Sequence, residues 1–259
     1  MTILEVFLAE FRRSWIQFIR YPVEAIGGIV ITTSIFYGLF LSARYIAGSA
    51  LQFGDRLDAI VVGYTLWSLV LFVMTDISGR LQYEAQTGTL EQLFLSPFGA
   101  PLVFIMRALA SFVLQLAIIV SILLIIMALT GSRLEFPPTL LLPLFTVLLG
   151  AYGFAFIMGS LALLLKRVQQ LLGIVQFGLL FLMATPAETW SGSLQLLRWL
   201  LPMTGGAGLL RDLMARGEAL NVAQFALALL NGTAYFVVGL LIFRFAEREA
   251  KRRGLLGGY

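Results

Sequence analysis

The chain contains no cysteine and no histidine, and its only lysines are Lys166 and Lys251. Disulfides, thiol nucleophiles, Cys/His zinc sites and imidazole acid-base catalysis are thereby excluded. Neither lysine follows a glycine-rich phosphate loop of the G-x-x-x-x-G-K-[ST] kind, so any nucleotide hydrolysis must come from another polypeptide. Charge is scarce too. Ionised side chains make up 12% of the residues, against about 25% in a soluble domain.

What fills the space is oil: 59% of the 259 residues are hydrophobic. Charge-free runs extend over Ala25 to Ala43, Ala59 to Thr75, Ala108 to Ser132, Phe136 to Leu165, Val168 to Ala187 and Ala219 to Phe243. A helix needs about 20 apolar residues to cross a bilayer, and alternating-strand barrels do not show unbroken apolar runs of this kind. The expectation is an all-α polytopic membrane protein with one transmembrane domain over residues 1–259. Its six spans should lie at about 24–45, 58–78, 104–131, 140–165, 168–187 and 220–244. The fourth run is too long for one straight span, and Pro137, Pro138 and Pro143 mark a loop or a broken first turn near its start.

With six spans both termini share a side. The termini and the connections between spans two and three and between four and five carry 12 of the 18 basic residues, against 6 on the other side. The positive-inside rule then places both termini in the cytoplasm. The net charge of +4 reflects this topology, since no basic patch interleaves with aromatics as nucleic-acid binding would need.

Residues 1–21 form a unit of their own. Leu4, Leu8, Phe11, Trp15 and Phe18 recur at helical spacing, while Glu10, Arg13, Ser14 and Gln17 gather on another face. This predicts an amphipathic helix in the membrane interface, ended by Tyr21-Pro22, either as a plain anchor or as a docking element. Glu5, Glu10, Arg12 and Arg13 ahead of a full-length span do not read as a cleavable signal.

Residues 83–98, "YEAQTGTLEQLFLSPF", interrupt the oil between the second and third spans. Thr89 is placed to cap a short helix, with Gln92 three residues on as in a capping box. Leu90, Leu93 and Phe94 form an apolar stripe, and Ser96-Pro97 ends it. So short a helix is marginal alone in water, and its stripe needs a partner.

The run Glu84-x-x-x-Gly88-Thr89-Leu90-Glu91-Gln92-Leu93, followed by Ser96-Pro97, resembles the coupling-helix segment of ABC-2 type transporter permeases, with Gln86 and Thr87 where many relatives carry charge. A second stretch, "LRWLLPMTGGAGLLRDLM" at 197–214, is similar through Pro202, Thr204 and Arg211 to the segment between spans five and six, where short helices dip into the outer leaflet. Its "TGGAG" reads as a flexible turn before a helix. The resemblance implies a multi-pass permease in a prokaryotic cytoplasmic membrane that exports cargo. It further implies a homodimer, or a pair with a close homologue, packed through the first and fifth spans. Two copies of a separate ATPase would bind ATP and Mg, leaving this chain without cofactor, metal or catalytic residue, and would dock on Glu84, Gly88, Thr89, Leu90, Glu91, Gln92, Leu93 and Phe94.

Within the spans no ionisable residue lies near mid-membrane, which argues against an ion-coupled carrier and against an intramembrane lipid-modifying enzyme. Thr33, Phe36, Tyr37, Tyr152 and Phe156 are the candidates for a pathway suited to hydrophobic or amphipathic cargo, such as a drug-like, lipid or lipid-linked molecule. The same aromatics would stack on the sugars of a polysaccharide or glycolipid, and aromatics also fill helix interfaces. Gly27, Gly28, Gly150, Gly153, Gly159 and Gly173 point to tight helix contacts. A membrane scaffold without transport is the remaining reading.

Overall fold

The structure, a computed structural model, describes residues 3–47, 54–86, 100–165, 169–187, 190 and 198–253. Among these the chain is helical without strands: α1 (Ile3–Arg20), α2 (Pro22–Ala47), α3 (Gly54–Gln86), α4 (Ala100–Thr130), α5 (Leu141–Leu165), α6 (Gln169–Ala184), α7 (Thr204–Ala215) and α8 (Val222–Arg252). α2, α3, α4, α5 and α8 are each long and apolar enough to cross a membrane. The prolines place the break before α5: Pro137 is extended, Pro138–Leu140 is a 3-10 turn, and Pro143 sits in the first turn of the helix, where no donor is missed.

The described part of α6 is 16 residues long, and residues 166–168 just ahead of it lie outside the description. It stops at Ala184, short of the expected 187. The Thr185 hydroxyl donates back to the Phe181 carbonyl at 2.7 Å, and Pro186 biases Thr185 out of helical geometry.

The core lies between α3, α5 and α8, with α4 against α3. α5 and α8 meet backbone to backbone. A Cβ on Gly239 would overlap the carbonyl of Gly153, and one on Gly153 would overlap the carbonyl of Tyr235. Toward the end that carries both termini the seam turns aromatic: Phe156 packs edge-on against Phe243 at 5.3 Å, and Phe243 against Phe104 of α4 at 6.0 Å. Helices in lipid gain little from the hydrophobic effect between them, so this close fit is what associates them.

At the far end α7 is wedged among α3, α5 and α8 and is buried along most of its length. It begins at Met203, whose backbone is left-handed (φ 64°). Here the glycines are not the flexible turn that the sequence suggests, since Gly205, Gly206 and Gly208 lie inside the helix. A Cβ on Gly205 would stand 3.1 Å from Trp199 and 3.2 Å from Ala228, and one on Gly206 would overlap the Thr146 hydroxyl. The glycines serve close approach. Arg211, 1% exposed, reaches from α7 to the Met183 carbonyl at the end of α6, beside Gly63 of α3.

Candidate functional site

α1 packs on the rest of the protein through a mixed face. Ser14 is buried and Glu10, Phe7, Phe11 and Phe18 are half-buried, whereas Leu4, Leu8 and Trp15 as well as Arg13 and Gln17 are exposed. Phe7, Phe11, Trp15 and Phe18 form a ladder of stacked rings along the helix at about 6.3–6.5 Å.

The anchor of that face is Arg107, two turns into α4. Its Nη2 donates to Glu10 of α1 at 3.0 Å, and its Nη1 donates to Glu84 at the end of α3 at 2.9 Å. All three side chains are at most 13% exposed. Paired charges this deep persist because removing one partner strands the others without water. The cluster therefore ties three helices at one depth, and two of them, α3 and α4, flank the segment 87–99. Gly88, Thr89, Leu90, Glu91, Gln92, Leu93 and Phe94 themselves lie outside the described residues. Glu84, expected to face a partner ATPase, is engaged within its own chain by Arg107. Further along the same two helices, Arg80 donates through Nε to Asp76 at 2.7 Å, and Ser111 donates to the other Asp76 oxygen at 3.1 Å.

The five pathway candidates are distributed rather than gathered. Thr33 and Phe36 are buried on α2, where Phe36 packs on Tyr64 of α3 at 4.8 Å, and Tyr37 stacks on Phe40 at 6.2 Å. Tyr152 donates to the Ala108 carbonyl of α4 at 3.3 Å, and Phe156 is fully buried between Phe236 and Phe243. None of the five lines the cavity beside Asp76 or the apolar one of about 410 Å³ among Trp199, Leu230, Asn231 and Tyr235.

The sequence marks Arg107 only as a charge bounding an apolar run and Glu10 only as part of a polar face. A signal was nonetheless there: Glu10, Glu84 and Arg107 all fall at one expected membrane depth, and no acidic residue lies near Arg107 in the sequence to pair with it.

Chemically the site fastens helices to one another. Among the described residues no group of three or more acidic side chains is placed to hold a metal. Long apolar helices fastened to one another by ion pairs near one end define a multi-pass membrane protein. Residues 5–215 match the ABC-2 type transporter family, and the chain belongs to that family as a membrane-spanning transport component. No curated protein matches it.

Proposed function

We propose that the chain is the permease subunit of an ABC exporter, moving a hydrophobic or amphipathic cargo across the cytoplasmic membrane under the drive of a separate ATPase. Both termini and residues 83–98 face the cytosol, Gln169–Ala184 completes a sixth span, and two permease copies carry two ATPases. The first and fifth spans, α2 and α6, turn Val30, Ile31 and Ile35, and Ile174, Phe177 and Phe181, outward. These faces suit the pairing of two copies.

The observation that carries the reading is the Glu10–Arg107–Glu84 cluster. A push delivered to 83–98 moves the ends of α3 and α4, and a cluster that joins both ends to α1 makes them move as one body. A loose loop would absorb the same push.

Purified without partners, the chain should release no phosphate from ATP, and robust turnover by the isolated polypeptide would sink the assignment. The coupling role is tested by two variants. Leu90→Asp with Leu93→Asp puts charge into a groove that must exclude water, so copurification of the ATPase should drop about tenfold or more. Gly88→Val keeps the stripe but adds a β-branched side chain at a turn, so transport should fall more than association does. If both variants bind a full complement of ATPase and export at the normal rate, residues 83–98 do not couple.

A further inference from the structure

Between α1, α2, α3 and α4 lies a cavity of about 290 Å³, independent of any ATPase partner and lined by none of the pathway candidates. Its polar wall is made by Ser14 and Gln17 of α1, Asp76 and Arg80 of α3, and Ser111 and Gln115 of α4. Its other wall is apolar, with Phe18, Phe72, Leu114 and Ile118.

The hydrogen bonding of that polar wall is lopsided. Asp76 is occupied on both oxygens, by Arg80 Nε and by the Ser111 hydroxyl. Arg80 engages only Nε, and both of its terminal nitrogens lack a protein partner among the described residues. The same holds for the Ser14 hydroxyl, on a residue 8% exposed, and for the Gln17 and Gln115 amides. What remains unused in the cavity is mainly donors, one of them cationic, while the nearby carboxylate is already neutralised. That is the complement of an anionic oxygen cluster.

We propose that this cavity binds the phosphate-bearing headgroup of a phospholipid from the leaflet in which α1 lies. The Arg80 terminal nitrogens hold the phosphate oxygens, with Ser14, Gln17 and Gln115 as further donors. The glycerol end lies against Phe72, Leu114 and Ile118, and the acyl chains leave the cavity for the bilayer. The lipid thereby fills the polar seam between α1 and the bundle, a seam that the protein's own side chains leave unsatisfied. The exposed Leu4, Leu8, Trp15 and Ile19 of α1 keep the cavity at headgroup depth.

The test uses the full chain, delipidated in a neutral detergent, with short-chain phosphatidylglycerol as probe and binding read by displacement of a fluorescent phosphatidylglycerol. Saturable binding is expected, with diacylglycerol of the same chain length weaker by about tenfold or more, since it lacks the charge-assisted bonds. Arg80→Gln should weaken the phospholipid by about the same factor. Gln17→Leu and Gln115→Leu break no ion pair and should each weaken it severalfold with an unchanged melting temperature, so they decide the matter if Arg80→Gln folds poorly. Inorganic phosphate should displace the probe only at far higher concentration. Diacylglycerol binding as tightly as phosphatidylglycerol, or wild-type affinity in the two glutamine variants, overturns the proposal. Displacement by inorganic phosphate as effective as by the lipid overturns the lipid as its source.

Discussion

Arg107→Met should lower the stability of the detergent-solubilised chain by about 3 kcal/mol, in the range for breaking a buried pair by removing one partner. The methionine fills much the same space, so the loss is electrostatic. Glu10, at 13% exposure, loses its cation on α1, and Glu84 on α3 loses one of its partners. α1 should then detach, and tryptic cleavage at Arg12 and Arg13 should rise by about tenfold or more, since 1.4 kcal/mol already corresponds to a factor of ten. Changing Glu10 to Gln in the same variant removes the stranded charge and should recover part of the melting temperature. An Arg107→Met protein that melts normally and keeps α1 protected would show that the cluster fastens nothing.

Gly239→Val is the second large effect, and here the cause is steric. The new Cβ would occupy the space of the Gly153 carbonyl, and the backbone on both sides leaves no flexible side chain to give way. Overpacking in a core costs about 1–3 kcal/mol when side chains can yield. Here α5 and α8 must separate, which also disturbs the packing of Phe156 with Phe236 and Phe243. The variant should fail to give monodisperse protein on size-exclusion chromatography. Gly173→Val is its control, since nothing lies within 4 Å of that position and the protomer should fold normally. Equal behaviour of the two variants would remove the argument.

The contrast between these glycines marks the boundary of what could be read in advance. Backbone in lipid must satisfy itself along its own helix, so uninterrupted apolar runs announce helices, and Tyr21-Pro22 and the prolines around the start of α5 announce breaks. Pairing between helices leaves no such mark. Gly153 and Gly173 are alike in the sequence, yet one touches another backbone and the other faces outward. Gly205 and Gly206 look like a hinge and are a contact surface, because α5 and α8 press on α7 from both sides. The site was legible in the same measure. Glu84 stood out through its motif, whereas its tie to Arg107 and Glu10 depends on which helix ends meet in space.

The two ends of the protein are held by different means. At the far end α7 is packed into the bundle by glycine contacts, and Arg211 fastens it to the end of α6. At the other end the helices are joined through the Glu10–Arg107–Glu84 ion pairs, and among the described residues the Arg107 Nε and one Glu10 oxygen are buried without hydrogen-bond partners. Under the proposed coupling, a force applied there moves the tied ends of α1, α3 and α4 as one body against a far end packed by backbone contact. The helices would then swing as levers about that far rim, with the stroke largest where it is delivered and smaller toward the opposite face. In such a machine the far end supplies the fulcrum.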